Sequence, residues 1–470
     1  MKNIKKAEEA INSQHIKPGS VIYASGNAAT PQVLLEQLAN DLTIKDITLF
    51  TVLPLGDRIK KLFSKERCET LIHRIIFNSH LTREAINQGR AKYQQWHLSE
   101  IARHLKRENP PNVAIVSVAG PDIGNNFSLG TTVEAVLPAI REVKRNNGIV
   151  IAERNDQMPF VLGTTIKKDD IDYILDVNYP LPNSPVHEPD KKASRIGEII
   201  ASLYIQDGRG SEPGSTLQYG IGQVPEAVTA AIIKRGLKDL GIHTELFASG
   251  MIRLVEKGIV TNRWKERINF SVSSIFLSEN SDGYYWLDFN SSVQSRPSDY
   301  TNSIFRIADQ PRMVSINSAI GVDLHGNVWA DSLDARKIYS GIGGQSDFIR
   351  GAQYSPGGVA IIGMKSQTEK GKSKIYDMCP AGITTTAIPA DQVIIVTEFG
   401  AFDPRGLSIG EHAMGIAHLA DPRQKEILLK KIYDDPAFHH PRRRRKKPRG
   451  FIPYEEAVKR LDDPQAQTLA

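Results

Sequence analysis

Gly220-Ile221-Gly222-Gln223-Val224-Pro225 follows a β-type run ending at Tyr219 and enters a helical stretch near Pro225. Glycines at such a turn let the backbone come close to a ligand, and a helix start offers free N–H groups to an anion. A phosphate-bearing cofactor is one reading. A tight βα turn is the other and, on these residues alone, carries more weight. No lysine followed by Ser or Thr closes the segment, so it is not a Walker loop. The same order recurs upstream. Val21–Ala24 reads as a buried strand, Gly26-Asn27-Ala28-Ala29-Thr30-Pro31 as the turn, and 31–38 as a helix with proline in its first turn. Glycine and proline stand five residues apart in both places, and the copies are offset by 194 residues, a domain-sized step. That spacing predicts two similar open α/β domains arising by duplication.

Further out, 46–50, 112–118 and 148–153 read as strands, with a helical stretch at 133–143 between the last two. Strands alternating with helices argue for α/β units and largely parallel sheets. The proline-rich segment 180–189 reads as a linker. The expected organisation is one α/β domain over 1–190, a second over 191–433, and a basic extension over 434–470. A block of that composition buries little apolar surface and is expected to be flexible, with a short amphipathic helix at 454–461.

Forty per cent hydrophobic and 24% charged residues in a 470-residue chain exclude disorder throughout. No apolar run nears the roughly 18–20 residues of a membrane helix. The basic start Met1-Lys2-Asn3-Ile4-Lys5-Lys6 is followed by Ala7-Glu8-Glu9-Ala10 rather than an apolar stretch, so a cytoplasmic protein is expected. Two cysteines, Cys68 and Cys379, exclude a disulfide framework. The net charge of +6 comes from Arg442, Arg443, Arg444, Arg445, Lys446, Lys447 and Arg449; without these seven the chain sits at −1. Such a run is most simply a solvated extension. The competing reading is contact with nucleic acid or an anionic surface, although no interleaved aromatic provides a stacking platform.

Two further constellations carry chemistry. Gly341-Ile342-Gly343-Gly344 places three glycines in four positions, which suits a turn whose N–H groups approach a reacting oxygen, or equally a plain structural turn. Gly241-Ile242-His243-Thr244-Glu245 puts a carboxylate after apolar residues and before a helical stretch at 251–257, at a strand end where ligands bind in open α/β sheets. The residue 25 positions past the turn glycine is Glu245 in the second copy and Thr51 in the first. A lone Glu at a strand end is more often a solvated surface residue. His97 and His104 share a helical face but lack a third ligand, so no metal site is expected, and no G-x-S-x-G elbow is present.

Taken together, these segments resemble the acetyl-CoA hydrolase/transferase family, in order from about Ile16 to Tyr433. The likeness includes Ile16-Lys17-Pro18-Gly19, Ser128-Leu129-Gly130, Gly258-Ile259-Val260-Thr261-Asn262, Gly343-Gly344 with Asp347-Phe348, and Thr397-Glu398-Phe399-Gly400. The resemblance implies a CoA-transferase with Glu245 as nucleophile. It implies a CoA loop at Gly220, Ile221, Gly222, Gln223 and Val224, and Gly343 and Gly344 at the CoA and oxyanion site. Asn302 and Glu398 fall where the family places polar groups near the acyl group. Relatives tend to carry a CoA-contacting glutamate where this chain has Gly321, which implies a difference in CoA grip or acyl specificity. Coenzyme A or acyl-CoA is implied as substrate, with a small carboxylate such as acetate or 4-hydroxybutyrate and no tightly bound cofactor. Hydrolysis of acyl-CoA by the same glutamate, or CoA binding without catalysis, are the alternatives. The acyl pair and self-association into a homo-oligomer stay open.

Overall fold

The computed structural model describes residues 1–265, 267, 269–438 and 447–459. Its first sheet has eight strands: β1 (Lys2–Ile4), β2 (Val21–Ala24), β3 (Ile47–Val52), β4 (Leu71–Phe77), β5 (Lys92–Tyr93), β6 (Val113–Val118), β7 (Ile149–Asn155) and β8 (Tyr173–Val177). Their spatial order is β1-β8-β7-β6-β2-β3-β4-β5, and every pairing is parallel. Every residue of β6, Val-Ala-Ile-Val-Ser-Val, is buried, as in a parallel strand covered on both faces. Helix α1 (Gln32–Asn40) connects β2 to β3, and α2 (Val136–Arg145) lies between β6 and β7.

The second sheet has seven strands: β9 (Thr216–Tyr219), β10 (Gly241–Ile242), β11 (Met313–Asn317), β12 (Val359–Gly363), β13 (Ile394–Thr397), β14 (Gly400–Phe402) and β15 (Phe451–Pro453). Their order is β10-β9-β11-β12-β13-β14-β15. Pairings are parallel as far as β13 and antiparallel beyond it. After α3 (Lys191–Leu203), the path β9, α4 (Gln223–Arg235), β10 repeats β2, α1, β3. The neighbours β3-β2-β6-β7-β8 therefore match β10-β9-β11-β12-β13, so the likeness seen in one turn extends through five strands of each sheet. Both Gly-to-Pro turns leave the carboxyl end of the strand where the order reverses, the usual ligand-binding place of such sheets.

The extension needs correcting. It is not flexible throughout: β15 pairs with β14, and α6 (Tyr454–Lys459) packs on α3. The Tyr454 hydroxyl donates to Glu198 at 2.6 Å, and the Arg195 guanidinium lies 3.9 Å from the Tyr454 ring centre. The strand escapes a periodicity reading because it is three residues long, ends in proline and adjoins a basic block. Arg442, Arg443, Arg444, Arg445, Lys446 and Leu461 lie outside the described residues, and with them most of the basic run.

The halves meet in a shared core that places Ala28, Ala29 and Phe160 with Val224, Phe247 and Phe276. Arg83 Nε donates to Tyr339 O at 2.7 Å, Asn78 Nδ2 to Ser340 O at 3.2 Å, and Leu98 N to Gly343 O at 3.2 Å. The first half thus holds the glycine-rich turn of the second. Among the described residues, no helix is long and apolar enough to cross a membrane.

Candidate active site

β10 stops at Ile242, and the chain leaves the sheet through His243 and Thr244. Glu245 comes next, ahead of the short strand Leu246–Ala248, which pairs with Ile275–Leu277. Its carbonyl accepts from Ile275 N (2.9 Å), Ser274 N (3.2 Å), Ser273 Oγ (2.9 Å) and Ser274 Oγ (3.1 Å). This strap fixes the backbone, so the side chain has one approach to the domain interface.

There the Glu245 carboxylate, shielded from water, meets two polar groups. Asn302 Nδ2 bonds Oε2 at 2.7 Å, and the Gly344 N–H lies near enough to favour the charged form. Asn302 is itself fully buried and also favours the charged form of Asp347, which accepts from Ser99 Oγ at 2.8 Å. Helix α5 (Gln345–Tyr354) begins beside Gly344, so its positive end faces the carboxylate. Desolvation nevertheless dominates: burial, aided by Asp347, pushes the Glu245 pKa up to about 7, against the lowering effect of Asn302 and Gly344. Asp347 is raised to about 7, also by burial. A Cβ at position 344 would stand 1.9 Å from Glu245 Oε2 and 2.0 Å from Asn302 Nδ2, so only glycine fits. Gly343, at φ +65°, turns the chain into this contact, and a Cβ there would lie 3.8 Å from Glu245 Oε1. The structure therefore brings Glu245, Asn302, Gly343 and Gly344 together.

The turn Gly220–Val224 stands at the carboxyl end of β9. Gly222 has φ +124°, open only to glycine, whereas a Cβ on Gly220 would meet nothing within 4 Å. Packing thus does not demand Gly220; its bareness leaves backbone accessible. Ile221 is exposed, Val224 packs beneath the loop, and the Gln223 side chain bonds Glu188 O at 3.0 Å and Lys365. Lys365 also reaches Asp190 at 2.7 Å, and burial, reinforced by Lys365, lowers Lys374 to about 8. Glu398 belongs to this cluster: it accepts from Ser366 N and Oγ at 2.9 Å each and pairs with Lys192 at 3.2 Å. None of these contacts reaches Glu245.

Gly321 lies apart as well. It pairs with Trp329 across a short antiparallel ladder, and a Cβ there would fall 2.2 Å from the buried indole. The space of a side chain at 321 is filled by Trp329. No group of three or more His, Cys, Asp or Glu among the described residues could hold a metal ion.

Sequence reasoning missed Asp347 and Ser99 as partners of the Glu245–Asn302 pair, the lysines beside the 220–224 turn, and Glu134. Glu134 is fully buried, accepts from Tyr23 Oη at 3.2 Å and is raised to about 8, mainly by burial. Lys365 had a legible signal, since it follows the carboxyl end of the apolar run Val359–Gly363. Glu134 had one as well, since it is the single charged residue in the stretch from Leu129 to Ile140.

The chain matches the models of the acetyl-CoA hydrolase/transferase N-terminal domain over residues 1–182 and C-terminal domain over 280–432. It is 35% identical to the 4-hydroxybutyrate coenzyme A transferase of Clostridium kluyveri, over 76% of this chain and 81% of that one. It is 31% identical to the succinyl-CoA:acetate/propanoyl-CoA:succinate CoA transferase of Fasciola hepatica, over 89% and 86%. The crystal structure of RipA from Yersinia pestis superposes with a TM-score of 0.83 at 29% identity, covering 92% of this chain and 97% of RipA.

Proposed function

The chain belongs to the acetyl-CoA hydrolase/transferase family, and on that premise we propose that it moves CoA between an acyl-CoA and a small carboxylate through a thioester on Glu245. The ionised Glu245 attacks the thioester carbonyl; the C–S bond breaks, giving an acyl-glutamyl anhydride and CoA thiolate. The thiolate attacks the glutamyl carbonyl, forming an enzyme–CoA thioester and releasing the first acid as its carboxylate. An incoming carboxylate reverses both steps, so the kinetics are ping-pong. Each attack places negative charge on an oxygen, and the Asn302 amide and the Gly344 N–H, beside the Glu245 carboxylate, are the donors that stabilise it in this reading. A pKa of about 7 leaves much of Glu245 ionised at neutral pH while keeping it more basic than an ordinary carboxylate.

The observation that carries this reading is the hydrogen bond of Asn302 to the Glu245 carboxylate, against the backbone of Gly344, where no side chain larger than hydrogen fits. The bare turn at Gly220 and the lysines beside it support a CoA phosphate site. Substrates named for the relatives, acetate and 4-hydroxybutyrate among them, supply the acceptor class. Acetyl-CoA hydrolases among the relatives support hydrolysis as a second outcome, in which water intercepts the thioester.

Intact-mass analysis directly after incubation with acetyl-CoA tests the proposal, with a parallel borohydride-treated sample in which the thioester is reduced to the alcohol and CoA is released. CoA should become attached in the wild type and not in Glu245→Gln. An unlabelled wild type, or equal labelling of both proteins, overturns it.

A further inference from the structure

The first half supplies no reacting group in the steps above, yet one of its segments touches each part of the constellation around Glu245. Residues 97–99 follow β5 and lead into the helix Ile101–Arg107. Leu98 N donates to Gly343 O at 3.2 Å, one residue before the glycine that faces the Glu245 carboxylate. Leu98 O accepts from Ser298 Oγ at 2.9 Å. Ser99 Oγ donates to Asp347 Oδ1 at 2.8 Å, and Ser99 N to Oδ2 at 3.3 Å. Consecutive residues of one half thus grip the glycine turn, the helix Ser298–Thr301 and the first turn of α5 in the other.

Two of these grips converge on Asn302. Asn302 N donates to Ser298 O at 2.9 Å, so the serine held by Leu98 opens the turn that ends at the amide. Thr301 Oγ1 donates to Asn302 Oδ1 at 2.8 Å, which leaves Nδ2 to face Glu245 Oε2. The same side chain favours the charged form of Asp347, and an amide nitrogen carries two hydrogens, enough for two carboxyl groups. Asp347 is buried, and Arg350, one turn further along α5, pairs with Asp391 at 3.6 Å rather than with it. An enclosed acid without a counter-charge weakens a fold unless hydrogen bonds offset its lost hydration. The bonds from Ser99 do so across the interface.

We infer that Ser99 and Asp347 are positioning residues for acyl transfer, through which the first half holds the Asn302 amide against the Glu245 carboxylate. The inference rests on Glu245 being the nucleophile, and both residues act through Asn302. An acid in the first turn of a helix also suits the positive helix end. That role alone would ask nothing of Ser99 or of the titration of Glu245.

The test follows formation of the CoA adduct by the full-length protein in single turnovers with acetyl-CoA, quenched at intervals and read by intact mass, so no acceptor has to be chosen. Ser99→Ala and Asp347→Asn should each lower the saturating rate by about tenfold, as on misaligning one charge-assisted hydrogen bond, with half-saturation within about twofold of wild type. Ser99 lines a cleft of about 320 Å³ between the halves, which has room for one more methyl. Ser99→Thr keeps the hydroxyl and should therefore retain at least about half of the wild-type rate. In Asp347→Asn the acid limb should also move to lower pH, because Asp347 is among the groups that raise the Glu245 pKa. The other acidic neighbours, Glu134 of Glu245 and Glu100 of Asp347, stay in place. Wild-type rates in Ser99→Ala and Asp347→Asn, equal losses in Ser99→Ala and Ser99→Thr, or an unmoved acid limb overturns the inference. If wild type forms the adduct and these variants match it, only the positioning assignment falls; if wild type forms none, the transfer reading falls with it.

Discussion

Thr51 and Glu245 stand the same 25 residues beyond their turn glycines, yet the two halves use those positions differently. In the first half, β3 runs unbroken from Ile47 to Val52, and Thr51 stays inside the sheet with its hydroxyl 2.9 Å from His73 Nε2. In the second, β10 ends after two residues, and the chain leaves the sheet before Glu245. A polar residue within a long central strand is enclosed and must find a local partner; past the end of a short one it is delivered to the domain interface. The shared turn sets the frame, and strand length decides which half presents a nucleophile.

The largest effect should come from Glu245→Gln, which lowers kcat for CoA transfer by at least about 10⁴-fold. Steady-state transfer from acetyl-CoA measures it, and substantial residual turnover would move the chemistry elsewhere. Gly344→Ala comes next. Its methyl would occupy the place of the Asn302–Glu245 hydrogen bond, and kcat should fall by about 100- to 1,000-fold, as on losing an oxyanion donor. A melting curve taken alongside shows whether the loss is local.

Asn302→Ala acts through titration. The amide favours the ionised carboxylate, so its removal raises the Glu245 pKa further above about 7. Because the ionised form attacks, the acid limb of the kcat/KM profile should move to higher pH. A one-unit rise would reduce the ionised fraction at pH 7 by about fivefold. A limb that stays put would detach Asn302 from the nucleophile. The smallest effect belongs to the other half: Thr51→Val should cost about 1–2 kcal/mol of stability, read from denaturant unfolding, by leaving His73 Nε2 unbonded. Transfer activity should stay at the wild-type level, and its loss would mean that the two halves share more chemistry than their strands suggest.

The α/β class, the repeat and the strands near 21, 47, 113 and 149 were legible because parallel strands are continuous apolar runs set off by Gly and Pro turns. Glu245, Gly343 and Gly344 were legible as motifs, and Asn302 through the family likeness. Their mutual contact was not, since it joins segments some 57 to 99 residues apart through an interface that no local pattern records. Asp347 and Ser99 are 248 residues apart and meet for the same reason. Gly321 read as a missing side chain, whereas Trp329 fills the place, and the compensating residue lies on the neighbouring strand.

β15 also governs how the protein can be handled. Without Phe451–Pro453, β14 would present a bare row of N–H and C=O groups, the kind of edge that recruits strands from other molecules. A chain cut after Ala437 removes the basic run and this cover together, so precipitation of the shortened protein would say nothing about the arginines. Neutralising the arginines while keeping Phe451–Pro453 and α6 asks about charge alone, and preserves the solubility on which any binding measurement depends.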